Sequence, residues 1–284
     1  MFGFSIWSFT TNILQFATNR IGDFVIGKTN GANALGIYNV GYEIANLPTT
    51  ELVAPINRAV FSAYAKMNVE QMKKGYLLVL DTVAILAIPA ALGIACLADI
   101  IVPTLLGEKW SEAIPIMEIL SFFGLIQALT SNIGSVYYAL GIPKTITKYY
   151  CYYAAILIPG FFIGTHYFAA IGAASALLIA AFITALLNLN NTFRLLRINL
   201  KDFSLSIWRP CISGLIMLAT VLYIKNEIPF IYQLNNSLKK LFVMILSGII
   251  IYIASISILW IFSGKTDGPE ARFLLKIKSF CIKN

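Results

Sequence analysis

The sequence predicts an all-α fold: a polytopic membrane helix bundle of about eight transmembrane helices, one six-helix lobe plus two terminal helices. Three observations carry this. Hydrophobic residues make up 58% of the 284 and charged residues 12%, against about 25% charged in an ordinary soluble domain. The mean hydropathy is +0.78. Apolar runs of roughly 17–25 residues, enough to span a bilayer, recur along the chain with short connections between them.

The runs fall at 4–28, 35–65, 76–98, 113–140, 146–165, 168–192, 206–224 and 239–262. Residues 1–193 then form one lobe, 194–264 two additional crossings, and 265–284 a basic tail. No basic segment precedes the first run, so no removable signal peptide is expected. With the N-terminus cytoplasmic, fourteen Lys and Arg fall in inner loops and tail against five outside, with Arg20 and Arg58 left inside helices. That asymmetry satisfies the positive-inside rule and puts both termini in the cytoplasm. It also accounts for the +8 net charge without nucleic acid as a partner. Trp7, Trp208 and Trp260 near inner helix ends, and Trp110 outside, read as interface anchors.

The first helix is polar along part of its circumference, through Thr10, Thr11, Asn12, Gln15, Thr18, Asn19 and Asp23. That side should face protein or water, because intramembrane polar groups are costly against lipid. The second run spans 31 residues, about 46 Å at 1.5 Å per residue. It exceeds the roughly 30 Å hydrocarbon core, so it must tilt, kink or protrude. Pro48 and Pro55 supply a kink by removing helical donors. Arg20 and Glu43 lie at similar depth on antiparallel neighbours, with Asp23 competing for Arg20 at three residues' distance. The candidate substrate-binding set is therefore Arg20, Arg58, Asp23, Glu43 and Glu51, with Pro48 and Pro55 as hinge. Charges at helix ends can also simply snorkel to the interface.

Other signals point to packing. Ala87, Ala91, Gly93 and Ala95, then Gly160, Gly164 and the 169–176 run, suit close helix approach. Residues 101–115 read as an interfacial re-entrant corner, and 194–201 as a short amphipathic surface piece. Cys96, Cys151, Cys211 and Cys281 are far apart and have no neighbouring ligands, so neither a metal nor a cofactor is expected. His166 reads as an interface residue. No nucleotide-binding or hydrolase motif occurs, and the chain is not expected to be an enzyme.

Two stretches resemble a known family. Asn19-Arg-Ile-Gly-Asp23 through Ala34-Leu-Gly36-Ile-Tyr38 to Leu47-Pro48, and Leu105-Leu-Gly107-Glu-Lys-Trp110 through Pro115 to Gly141-Ile-Pro143, are similar to Wzx-type polysaccharide flippases of the lipopolysaccharide and teichuronic-acid exporter branch. The resemblance implies flipping of an undecaprenyl-pyrophosphate-linked oligosaccharide across the bacterial inner membrane by alternating access between two lobes. Members usually carry about fourteen helices, so it also implies that this chain corresponds to the C-terminal part and that a first lobe is missing. Partners would be the lipid-linked oligosaccharide, membrane lipids and polysaccharide assembly machinery. The rival readings are a multidrug exporter of the same superfamily, a membrane-embedded sugar polymerase or transferase, and an inert remnant.

Overall fold

The structure is a computed structural model and describes residues 2–227 and 237–263. Among these residues every regular element is helical. The chain runs through α1 (Phe2–Thr29), α2 (Gly31–Leu47), a π-helical turn (Pro48–Val53), α3 (Ala54–Tyr64), α4 (Val69–Leu105), a short 3₁₀ turn (Glu108–Trp110), α5 (Ala113–Thr130), α6 (Ile133–Ala139), α7 (Pro143–Leu196), α8 (Leu200–Glu227) and α9 (Ser237–Phe262). Five segments are long and apolar enough to cross a membrane: α4, α5 with α6, α7, α8 and α9. The chain is a multi-pass membrane protein. The basic tail at 265–284 and Cys281 lie outside the described residues.

Local chemistry sets the boundaries. At the α1–α2 turn Gly31 takes φ +86°, a left-handed conformation that reverses the chain within one residue. α4 starts on a capping box: Asn68 Oδ1 accepts from the Gln71 amide at 2.9 Å, and Gln71 Oε1 accepts from the Asn68 amide at 3.1 Å. α6 ends where the Ile142 amide reaches the Tyr137 carbonyl at 3.0 Å while Gly141 takes φ +71°, the bond pattern of a Schellman stop. α7 ends the same way, with Ile198 bonding Phe193 at 2.9 Å and Arg197 at φ +53°.

α7 is 54 residues long but non-helical at Phe168 and Ala169. The two limbs fold back on each other: a methyl group on Gly164 or Gly172 would overlap the other's backbone, and one on Gly160 would press on Ala176. The small residues expected to permit close approach do so here.

One cluster of buried side chains runs through the bundle, from Ile26 and Ala45 through Ile116, Met117 and Leu120 to Leu157, Phe161 and Ala173. α1 packs on α7, where Thr11 and Thr147 share a 2.8 Å hydroxyl contact. α8 and α9 lie against α4. Gly214 of α8 admits Ile88 and Leu92 of α4, and Tyr252 of α9 donates to the Ile85 carbonyl at 3.0 Å. Polar clamps hold α8 to α4 at both ends. Lys73 meets Asp202 at 2.6 Å and the Arg197 carbonyl at 3.1 Å; Lys225 meets Asp99 at 2.7 Å and the Cys96 carbonyl at 3.0 Å.

Two local expectations change. α4 continues to Leu105, so 101–105 is the end of a helix, and the outer corner shrinks to the turn around Glu108–Trp110. The 194–201 piece is the junction of α7 and α8, where Arg197 caps one helix and the next starts at Leu200.

Candidate functional site: a polar cleft beside α1

A cleft of about 1090 Å³ opens among α1, α2, α3, α5, α6 and α7. Its walls are mostly uncharged. α1 contributes Thr11, Asn12, Gln15, Thr18 and Asn19, nearly the whole polar side noted in the sequence. α2 adds Tyr38, Asn39, Tyr42 and Asn46, and the π turn adds Thr49 and Thr50. From α5 and α6 come Phe123, Gln127, Thr130, Tyr137 and Tyr138, and from α7 Tyr149, Tyr150, Tyr153, Thr184 and Asn188.

Helical periodicity explains the aim of these groups. Tyr38, Tyr42 and Asn46 are four apart and form one row on α2. Tyr38 and Tyr42 stack at 6.2 Å, and Tyr42 meets Phe123 of α5 at 6.1 Å, giving a continuous aromatic wall. Gln15 of α1 donates to the Tyr150 hydroxyl of α7 across the cleft floor. Asn57 of α3 donates to Ser131 at 2.7 Å.

Asn46 stands apart. It is 5% exposed, and neither amide atom makes a well-formed hydrogen bond, although the Tyr42 hydroxyl lies nearby. A buried polar group without a partner costs on the order of 1–3 kcal/mol, and this one borders the cleft.

The charged candidates separate into two groups. Arg20, Asp23 and Glu43 line the cleft; Arg58 and Glu51 do not. Arg20 pairs with Asp23 on its own helix at 3.2 Å, with side chains 69% and 34% exposed. The competing partner thus takes Arg20, and Glu43 makes no ion pair among the described residues. Arg58 and Glu51 are exposed on the bundle's flank.

Pro48 is buried and Pro55 is exposed. Their missing amides leave the Ile44 and Glu51 carbonyls without helical donors. The turn between them widens to π geometry, with the Ala54 amide bonding Thr49 five residues back. Thr49 ties this turn to α5 through a 3.0 Å bond to the Gly124 carbonyl. Gly124 is needed there, since a methyl group would sit 2.8 Å from the Ala45 carbonyl.

Residue-by-residue reading of the sequence missed the tyrosines, whose signal was present in Tyr149-Tyr150-Cys151-Tyr152-Tyr153. It concentrated on charges, while the cleft is built chiefly of amides, hydroxyls and phenols.

Comparison with known proteins follows the same direction. Residues 1–115 match a family described as polysaccharide biosynthesis protein. The chain is 28% identical over 210 residues to the lipopolysaccharide biosynthesis protein WzxC of Escherichia coli (strain K12), covering 73% of this chain and 43% of that protein. It is 27% identical over 218 residues to the teichuronic acid biosynthesis protein TuaB of Bacillus subtilis (strain 168), covering 74% and 44%. The chain is similar to the Wzx-type polysaccharide flippases. It spans less than half the length of these curated relatives. The lipid II flippase MurJ, in an inward closed conformation, superposes on 89% of this chain and 52% of its own with a TM-score of 0.75 and 19% identity. The similarity to MurJ is one of fold.

Proposed function

We propose that this chain works as one half of a flippase that carries an undecaprenyl-pyrophosphate-linked oligosaccharide from the inner to the outer leaflet of the bacterial inner membrane. The observation that supports this best is the cleft: a large amide- and phenol-lined space inside a bundle with many apolar side chains on its exterior. Sugars offer hydroxyls to amides and ring faces to aromatics, so the walls suit a glycan better than an organic cation. The similarity to polysaccharide biosynthesis proteins agrees with that chemistry. A multidrug exporter would be served by an acidic aromatic site, and Glu43 beside Tyr42 is the feature that favours that second reading.

In this reading the chain crosses the membrane eight times. α1 makes one crossing, α2 with α3 another, the limbs of α7 two, and α4, α5 with α6, α8 and α9 one each. Residues 1–193 form the lobe and 194–264 the additional pair, with both termini cytoplasmic. The chain moves its cargo between leaflets and performs no covalent step. A second lobe closes the open side of the cleft, and alternating access rocks the two. Arg20 meets the phosphates as they pass outward, with Asp23 and Glu43 exchanging as its partners. Arg58 and Glu51 contact the cargo from the flank as the lobes rock, and Pro48 and Pro55 are the hinge.

The test is complementation of a strain lacking the gene, with surface polysaccharide and the internal lipid-linked oligosaccharide both measured. Arg20→Ala, at normal expression, is expected to lower surface polysaccharide by about tenfold, the worth of one charge-assisted phosphate contact, and to raise the internal pool. Unchanged export with Arg20→Ala would remove that residue from the mechanism. If deleting the gene leaves export intact but raises drug sensitivity, the flippase reading gives way to the multidrug one.

A further inference from the structure

We propose that the π turn at Pro48–Val53 is a register switch. Closing it to α geometry turns α3 by one residue, about 100°, against α5 and α6, and hydroxyl groups in the cleft bias the two settings. That those hydroxyls belong to a glycan cargo rests on the reading above; the switch does not.

The rod of α2, the turn and α3 is bonded to α5 and α6 at three heights. Thr49 donates to the Gly124 carbonyl at 3.0 Å, Asn57 donates to the Ser131 hydroxyl at 2.7 Å, and the Tyr64 hydroxyl accepts from Asn132 at 2.6 Å. On α5, Gly124 and Ser131 are seven apart, two α-helical turns less about 20°, so they share a face. On the rod, Asn57 and Tyr64 are also seven apart, but Thr49 and Asn57 are eight. Eight α-helical steps would carry Asn57 about 80° away from the line of Thr49. The π turn absorbs the extra residue, with the Ala54 amide bonding Thr49 five residues back. All three rod groups thereby fall into one seam.

The two settings are close in energy for identifiable reasons. Pro55 supplies no amide to the turn in either winding, so closing it regains no bond there. Thr50, Glu51 and Leu52 are exposed, and the outer side of the turn can rewind without displacing a neighbour. Closure hands each place on the rod to the preceding residue. Leu52 would then take the place of Val53 in the cluster with Val79, Val83, Ala87 and Ala128, one branched apolar side chain for another. Ile56 would replace Asn57 and Ala63 would replace Tyr64, which breaks two seam bonds. Against that loss stands a cost of the open setting: Asn57 Oδ1 and Asn132 Oδ1 are buried without a hydrogen-bond partner.

A ligand shifts such a balance only by binding the two settings differently. The Asn57–Ser131 bond supplies the difference, because both residues line the cleft. Intact, it occupies the Ser131 hydroxyl as acceptor; broken, it leaves that oxygen free to accept from a hydroxyl-rich ligand. Occupancy of the cleft is thereby tied to the rotation of α3.

Two single-residue deletions in the native chain test the register. Leu52 lies in the turn and Ala59 in α3 between two seam residues, and both are exposed. Deleting Leu52 should convert the turn to α winding with the seam kept, and the variant should melt no lower than wild type. Deleting Ala59 takes Tyr64 away from Asn132, and that variant should melt about 5 °C lower. Equal loss in both deletions, or none in either, overturns the seam. Cross-linking tests the movement. Phe61 meets Tyr138 of α6 edge-on at 6.3 Å, and Val60 would take its place after closure. With the four native cysteines replaced by alanine, Phe61→Cys with Tyr138→Cys and Val60→Cys with Tyr138→Cys should both be joined in membranes by a short bifunctional thiol reagent, read by mass spectrometry of the joined peptides. Deleting Leu52 should abolish the second product and leave the first. Joining of the first pair alone in the undeleted chain, or an unchanged second product after the deletion, overturns the switch. Export by the Leu52 deletion in the complementation strain is expected to fall severalfold. Full export there overturns the tie to transport, while the flippase reading fails separately, if loss of the whole gene leaves export intact.

Discussion

Two rods of this bundle each carry two prolines, and they respond in opposite ways. α4 contains Pro89 and Pro103 and remains α-helical from Val69 to Leu105. The rod made of α2 and α3 contains Pro48 and Pro55 and opens into a π turn between them. Proline removes a donor in both, so the difference lies in the neighbours. α4 is covered by α5 on one side and by α8 and α9 on another, begins on a capping box, and is clamped to α8 near each end. The α2–α3 rod borders the cleft on one side, while its widened turn packs through Val53 against Val79, Val83 and Ala87 of α4 and Ala128 of α5. The widened turn occurs on the rod that has the cleft along one side.

The largest expected effect comes from breaking the covered rod. In Gly214→Leu, the first added carbon would already lie 2.8 Å from Ile88 and 3.0 Å from Leu92. Overpacking of this kind costs on the order of 1–3 kcal/mol, and here it acts on the seam that holds α8 to α4. The variant should melt well below wild type in detergent and accumulate poorly in membranes. Wild-type melting would mean that α4 does not depend on α8 to stay α-helical past its prolines.

Pro48→Ala addresses the other rod. It restores an amide to the Ile44 carbonyl, and relief from an interior proline is worth up to about 3 kcal/mol in a helix; a turn already adapted to proline should gain about 1. The variant is expected to melt higher and to export less polysaccharide in the complementation strain. Higher stability with normal export would leave the π turn as a packing solution and remove it from the transport cycle.

Much of this architecture was legible in the sequence, and the reason is physical. A lipid solvent demands long apolar runs, and those runs could be placed from the sequence, while the capping box at Asn68 and Gln71 emerged only in the structure. The 168–169 break in α7 was readable for the same reason, as Gly164 and Gly172 flank it. The cleft was legible only along α1, where Thr11, Asn12, Gln15 and Asn19 crowd one side of an otherwise apolar helix. The tyrosine walls were not, because a tyrosine is equally at home at a bilayer interface, in a core or in a cavity. Choosing among those needs the neighbouring helix. The charges divide into two groups. Arg20, Asp23 and Glu43 line the cleft, whereas Arg58 and Glu51 are exposed outside it, a division that depends on the neighbouring helices.

Asn46 offers the smallest effect on stability and the sharpest separation between the two rods. On a covered rod such as α4, a buried residue earns its place by packing, and replacing it with a wrong shape costs stability. Asn46 is buried in the wall of the open rod with neither amide atom in a well-formed hydrogen bond, although the Tyr42 hydroxyl lies nearby, so Asn46→Leu removes a desolvated polar group and keeps a similar volume. Such a change is expected to be neutral or stabilising by about 1 kcal/mol. If the amide is retained for the cargo, or for another position of the π turn that starts two residues on, export should fall although the protein melts no lower. A fall in melting temperature instead would show that Asn46 packs as α4 residues do and that the two rods differ less than their prolines suggest.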